Sequence, residues 1–456
     1  MNTRAMFGLG FLLSMAAAAS AEAPRLVVHE WGTFTSFQDE RGQTIAGINV
    51  DDEPVPAFVH RLGDVPIFTT AALPAHWSQG APRCHPDVTL RLETPVMYFY
   101  PPARWDPKPF DVRATFVGGW LTEFYPSADA TGLGFPKAID ASAKSSLSWR
   151  GVRLDPQAGN LLPETDEGVW LAPRKVASTF VREASGNEAE KYLFYRGVGH
   201  LDAPIVVREQ GDSVQIAVRP GDPRLTKLPP LWLVDVAADG TVRYQKIRPN
   251  GASAQAKAFP KATANEQNAL PALKAELTQA LRSQGLFADE AAAMLETWSL
   301  SYFESEGLRL FFVLPQAWTD QRLPLTLSTP ADITRVMVGR VELVTPHQRE
   351  VLQKLYALSD ADFPKPLYTV DWKVIGPLME TNSHAGLYRA TGRDVPQSLQ
   401  LYNSLGRFRD ALLAHEYRAA DIAQRMRLDK VMRYFSACVP DLPRPMVTKT
   451  SLPTAQ

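Results

Sequence analysis

The chain has 456 residues, 45% hydrophobic and 21% charged, with 10 Trp, 13 Tyr and 21 Phe, a composition that fits a folded globular protein and excludes a disordered one. Its 48 basic and 49 acidic residues leave a net charge of −1, so no electrostatic case exists for a nucleic-acid or anionic-membrane partner. Beyond the N-terminal leader there is no run of about 18 apolar residues, and nothing else is long enough to span a bilayer.

The leader comes first in the chain. Arg4 supplies a positive start, Ala5 to Ala19 form an apolar stretch, and Ala19-Ser20-Ala21 has the A-x-A pattern of a cleavage site. Residues 1–21 therefore read as a secretory signal peptide, with the mature chain starting at Glu22. No cysteine follows the apolar stretch to carry a lipid anchor and no twin arginine precedes it, so the expected product is soluble and periplasmic or secreted.

Residues 22–250 read as sheet. Leu90, Leu92, Val96, Tyr98 and Tyr100 follow one strand pattern, Val112, Ala114 and Phe116 a second, and Tyr192 to Arg196 a third. Gly211-Asp212 and Asp239-Gly240 sit where hairpins would turn, the latter pair suiting a type I′ turn. Many short antiparallel strands with scattered prolines predict a β-sandwich. Residues 251–265, low in aromatics, read as a linker or exposed loop. Residues 266–456 read as a smaller α+β region. In it, Leu270, Leu273, Leu277 and Leu281 form one helical stripe, and Ala291, Met294, Leu295, Trp298 and Tyr302 another. Strands are expected at Leu308 to Leu314 and Ile333 to Val344. Thr345, Pro346 and Gln348 then open a helix with a capping box, and further helix runs from about Pro396 to Cys438. The fold class is thus a β-rich, antiparallel β-sandwich N-terminal region plus a smaller α+β C-terminal region.

Cys84 and Cys438 form an even pair, which in an oxidising compartment reads as a disulfide. Its loop would enclose most of the chain, worth at most roughly 5 to 6 kcal/mol of chain entropy. The rival readings make Cys84 a metal ligand beside His85, or leave two buried thiols.

The segments His29-Glu30-Trp31-Gly32-Thr33-Phe34-Thr35-Ser36 and Glu93-Thr94-Pro95-Val96-Met97-Tyr98-Phe99-Tyr100 resemble a recurrent set of secreted bacterial proteins. So do Leu193 to Gly199 and Arg335 to Arg340. The resemblance covers most of the mature chain and supports the domain reading. It carries no activity, cofactor or catalytic residue with it.

His29-Glu30 is the sharpest local feature, since an imidazole beside a carboxylate can serve as metal ligand and general base. The zinc-protease spacing fails, because position 33 is Thr, and His415-Glu416 fails because position 419 is Ala. Successive strand residues point to opposite faces, so His29 and Glu30 share a site only across a bulge. A metal site drawing on His29, His85 and His200, with oxygen from Glu30, Glu93 or Asp202, would hold a divalent transition metal such as zinc. The plain alternative for each is a hydrogen-bonded structural histidine. Carboxylates offer a second route: Glu93, Glu123, Glu304 and Glu306 lie near aromatic segments, and a pair across a cleft would hydrolyse a glycoside. Trp120, Trp149 and Trp170 would then be sugar platforms, or buried core. No G-x-S-x-G elbow and no phosphate-binding glycine loop occurs.

These readings give an exported hydrolase acting on a cell-envelope or extracellular polymer, metal-assisted or using a carboxylate pair, with Glu30 and Glu93 as its catalytic candidates. The alternative is a non-catalytic binding or assembly protein with an aromatic-rich groove for a polysaccharide, peptide or other envelope ligand.

Overall fold

A computed structural model describes residues 25–50, 54–62, 77–78, 80–105, 108–131, 138–260, 267–363 and 394–435. The expected signal peptide and Cys438 lie outside these residues.

The centre is a nine-stranded mixed sheet. Its strands in chain order are β1 (Leu26–Gln38), β2 (His60–Arg61), β3 (Leu90–Tyr100), β4 (Gly119–Tyr125), β5 (Leu193–Gly199), β6 (Leu231–Val236), β7 (Val242–Ile247), β8 (Gly307–Val313) and β9 (Ala331–Leu343). Across the sheet they lie in the order β7-β6-β8-β9-β1-β3-β5-β4-β2. β1 runs parallel to β9 over its whole length, from Leu26↔Ala331 to Gln38↔Leu343, and antiparallel to β3. Its near-total burial follows from this central position, with both faces covered.

One face packs on further β-structure. Val28, Leu92, Phe99, Tyr195, Phe312 and Met337 meet Val112, Phe116, Leu147 and Trp149 of a six-stranded sheet built mainly on Phe110–Val117 and Lys144–Leu154. A three-stranded sheet, Ile205–Gln210, Ser213–Val218 and Ser253–Lys257, adds Ile205, Val207 and Ile216 to the same core. The other face carries helices α1 (Gly168–Arg174), α2 (Leu270–Ser283) and α3 (Ala288–Thr297). There Trp31, Val96, Tyr98, Phe311 and Val336 pack on Leu273, Leu277, Leu281, Met294 and Trp298. Helix α4 (Gln316–Arg322) links β8 toward β9, and α5 (Pro346–Tyr356), α6 (Gln397–Ser404), α7 (Arg409–Ala419) and α8 (Ile422–Phe435) form a third cluster with Phe37, Val88, Val198 and Val344.

The protein is therefore β-rich with sheet-on-sheet packing, but the sandwich is only one of its interfaces. The boundary expected at 251–265 does not separate two sheets. β8 and β9 come from the C-terminal half and sit in the central sheet between β6 and β1, and Ser253–Lys257 is a strand paired with Ser213–Val218. Pairing across some 300 residues leaves no trace in local periodicity, which is why the two halves read as separate units.

Local chemistry fared better. Thr345 Oγ1 accepts from the Gln348 backbone N–H at 3.1 Å, and the Gln348 side chain accepts from Thr345 N–H at 2.9 Å, closing the expected capping box. Gly211-Asp212 is a two-residue hairpin loop with Gly211 at φ 59°. Asp239-Gly240 turns differently from the type I′ expectation. Ala237 and Thr241 pair across a three-residue loop, with the Gly240 N–H on Ala237 C=O and Gly240 at φ 82°, the arrangement of a turn followed by a left-handed glycine.

Candidate site around His29

The pleat of β1 sends neighbours to opposite faces. Val28, Glu30 and Phe34 face the second sheet, whereas His29, Trp31 and Thr33 face the helices. β3 changes face midway. Trp31 pairs with Val96 and Thr33 with Glu93, so Thr94 and Pro95 both stand opposite Gly32, with Thr94 at φ 43°. This bulge puts Leu90 and Leu92 on the sheet side but Val96 and Tyr98 on the helix side, and turns Glu93 toward the helices. A Cβ at Gly32 would sit tightly against the bulge, 3.0 Å from Pro95 Cα and 3.1 Å from Met337 Sδ.

Glu30 and Glu93, the two catalytic candidates, therefore occupy opposite faces of the sheet. Glu30 is fully buried and accepts from Tyr195 Oη at 2.5 Å and from Arg335 Nε at 2.6 Å, while Arg335 also reaches Asp320 at 3.0 Å. Burial first, then the Glu30 charge, pushes the Tyr195 hydroxyl well above its usual range. Glu93 is held by Arg340 at 2.9 Å and Arg91 at 3.1 Å, with Arg407 at 3.6 Å. Glu342 lies in the same cluster, 3.3 Å from Arg309. Burial lowers the Arg407 guanidinium to about 9. Carboxylates fixed this way are acceptors inside an ion-pair lattice, and two on opposite faces cannot flank one glycosidic bond. Trp149 and Trp170 are core residues, with indole N–H groups on Pro126 C=O and the Glu190 carboxylate, rather than sugar platforms.

The three histidines are not gathered. His85 and His200 meet at the turn before β3: His85 Nδ1 accepts from Asp87 N–H at 3.2 Å, and His200 Nδ1–H donates to Asp87 C=O at 2.8 Å. His29 pairs across the sheet with Tyr98, eight residues further along β3 than Leu90, which at about 3.3 Å per residue places it roughly 25 Å away. Among the described residues no three His, Cys, Asp or Glu side chains stand together as a metal-binding group. Asp202 is occupied by Thr44 and by Arg219. The partner expected for Cys84, Cys438, lies outside the described residues.

His29 does meet a carboxylate, but it is Glu290. Helix α2 ends at Gly285, φ 108°, with the Leu286 N–H on Leu281 C=O, a left-handed stop that returns the chain at once into α3. That tight link lays the first turn of α3 over His29. His29 Nδ1 lies 2.8 Å from Glu290 Oε2 and 3.1 Å from Oε1. Tyr100 Oη donates to Glu290 Oε1 at 2.7 Å, and the Phe287 backbone N–H to Oε2 at 2.6 Å. Burial, followed by the Glu290 charge, drives the Tyr100 hydroxyl far above its usual range, so it stays a donor. Glu290 accepts from Tyr100 Oη and the Phe287 N–H, and His29 Nδ1 is placed as its third donor. Among the described residues Nε2 has no hydrogen-bond partner, and His29 as a whole is only 4% exposed. The Phe287 ring centroid is 4.5 Å from the imidazole and 5.0 Å from Tyr100.

Sequence reasoning singled out His29 as a metal ligand and missed its neighbours Glu290, Tyr100 and Phe287. The one available signal was Asp289-Glu290 in the first turn of a helix, which points to a helix start and not to a partner 261 residues away.

The fold and site define a β-rich protein whose central mixed sheet presents a histidine–carboxylate pair under a helix. No protein-family model matches the chain, and no curated protein does. Among solved structures, the Fcho1 mu homology domain of Danio rerio with bound Eps15 peptide is 8% identical, covering 70% of this chain and 97% of its own, at a TM-score of 0.28. The yeast delta-COP-I mu-homology domain is 6% identical with the same coverages at 0.24. Its complex with the Dsl1 WxWxV peptide is 7% identical at 0.23, covering 70% of this chain and 98% of that one. Likeness at this level assigns neither a fold family nor an activity.

Proposed function

We propose that the protein is an exported hydrolase of a cell-envelope or extracellular polymer, in which His29 is the general base and Glu290 its positioning residue. The observation that supports this is the Nδ1–Glu290 hydrogen bond, with Nε2 unbonded among the described residues. An imidazole oriented in this way takes a proton from water as the water attacks an ester or amide carbonyl, and the carboxylate stabilises the imidazolium that forms. Among the described residues no Ser, Thr or Cys hydroxyl or thiol is bonded to His29, which favours water as the nucleophile. General-base assistance is worth about 10² to 10⁴ in rate.

The test is hydrolysis of a panel of acylated oligosaccharides and peptides by the secreted mature protein, followed by acid release, beside His29→Gln. The expected result is turnover reduced at least about 100-fold in a variant with an unchanged circular dichroism spectrum. Equal turnover by His29→Gln would overturn the assignment. If the wild type turns over no substrate while binding one tightly, the non-catalytic binding-protein reading replaces it.

A further inference from the structure

We infer that Asn250–Gly251 is a self-modifying site, where the folded protein converts Asn250 into an isoaspartyl link without an enzyme and so loosens the passage from β7 into the three-stranded sheet. It is the single Asn-Gly step in the sequence, and the fold leaves it open. Asn250 is exposed in a bend beyond β7. Among the described residues neither its side-chain amide nor the Gly251 backbone N–H takes part in a hydrogen bond. Gly251 stands at φ 136°, a conformation suited to glycine, and a Cβ placed on it would meet nothing within 4 Å. An unbonded amide nitrogen directly after an unbonded, solvated carboxamide is the arrangement that five-membered ring closure needs.

The comparable steps are closed. Asn49 is buried, its Oδ1 accepts from His85 N–H at 2.9 Å, and the following amide, Val50 N–H, is held on Ile48 C=O. Glu188 N–H, after Asn187, donates to Glu183 at 3.2 Å. Asn268 Oδ1 caps Leu270 N–H at 3.0 Å, and Ala269 N–H donates to Val242 C=O. Asn160 and Asn403 lie inside helical turns, followed by Leu161 and Ser404. Even the Asp239–Gly240 step has its attacking N–H engaged, on Ala237 C=O.

The reaction needs only water. Gly251 N bonds to Asn250 Cγ, the Cγ–Nδ2 bond breaks, and the nitrogen leaves as ammonia with the proton that Gly251 N gives up. Water then opens the cyclic imide. Attack at the main-chain carbonyl leaves that carbon as a carboxylate and returns a proton to Gly251 N, so the chain runs on through Cβ and Cγ with one extra atom. The consequence lies in the next bonds along the chain. Gly251 C=O accepts from Leu228 N–H at 2.8 Å and Ala252 C=O from Val218 N–H at 2.8 Å, and Leu228 packs in the core between the sheets. A lengthened, newly charged link shifts Gly251 and weakens its bond to Leu228.

The experiment ages the folded mature protein for weeks at neutral pH and maps its peptides by mass spectrometry, beside Asn250→Gln, whose ring would have six members and closes far more slowly. Expected is conversion at Asn250 at least about tenfold faster than at Asn49, Asn160, Asn187, Asn268 or Asn403. Hydrogen exchange at the Leu228 amide should quicken about tenfold in the aged wild type and stay unchanged in aged Asn250→Gln. Conversion at Asn250 no faster than at Asn403 would overturn the site. Full conversion with Leu228 exchange unchanged, or equal quickening in Asn250→Gln, would overturn the loosening.

Discussion

Removing the charge of Glu30 isolates what the central ion pair contributes. Arg335 donates to Glu30 through Nε and stands 2.6 Å away through Nη2, with side-chain exposures of 2% and 0%. In Glu30→Gln the guanidinium stays buried, and its other anion, Asp320, has a side chain 51% exposed. Leaving one partner of a buried pair uncompensated costs about 3 to 5 kcal/mol. With a urea slope of about 3 kcal/mol/M, the unfolding midpoint should fall by about 1 to 1.7 M. The control is Asp332→Asn, which breaks the Arg25–Asp332 pair at 2.8 Å, where the side chains are 42% and 65% exposed; its cost should stay below about 1 kcal/mol. Urea titration followed by circular dichroism measures both. Should Glu30→Gln shift the midpoint no more than Asp332→Asn, the buried lattice would not be stabilising in the way its geometry implies.

Other consequences can be checked with the same material. Gly197→Ala would bring a Cβ within 2.2 Å of Trp120 C=O, so the β4–β5 pairing must shift, and a loss of at least about 1 to 3 kcal/mol is expected in urea titration. Burial depresses the His415 pKa despite the nearby Glu416 and Asp39 carboxylates, with Arg349 and Arg418 acting in the same direction as burial. The unfolded chain therefore binds more protons below about pH 6.5, and the stability contribution, complete above that value, is lost as pH falls toward the folded pKa. His415→Gln should accordingly lose less midpoint than the wild type between about pH 7 and 5.5; an identical loss would discount this group. Non-reducing peptide mapping should find Cys84 joined to Cys438, and reduction should lower stability by up to about 5 to 6 kcal/mol. Two free thiols in the secreted protein would rule that bridge out.

Much of the local architecture was legible. The leucine stripe of α2, the Thr345 capping box and the strand patterns around Leu308 and Ile333 are short-range signals, and each element forms where its residues indicate. What was not legible depended on distance in sequence. The parallel pairing of β1 with β9 joined regions expected to be separate, and the Thr94 bulge broke a strand pattern that looked continuous. His29 illustrates both sides of this. Strand alternation correctly implied that Glu30 would turn away from it, but nothing local pointed to Glu290, because a helix in the second half delivers that carboxylate. His85 and His200 do converge, on Asp87, through backbone contacts that composition cannot reveal.

The account turns on which carboxylate serves His29, and one comparison of rates decides it. Turnover per folded molecule should be measured for Glu290→Gln and Glu30→Gln on the substrate that the wild type hydrolyses. The account predicts a fall of about 100-fold or more for Glu290→Gln, which loses the acceptor that fixes the imidazole, and an unchanged rate for folded Glu30→Gln. Loss of turnover in Glu30→Gln with full activity in Glu290→Gln would contradict it.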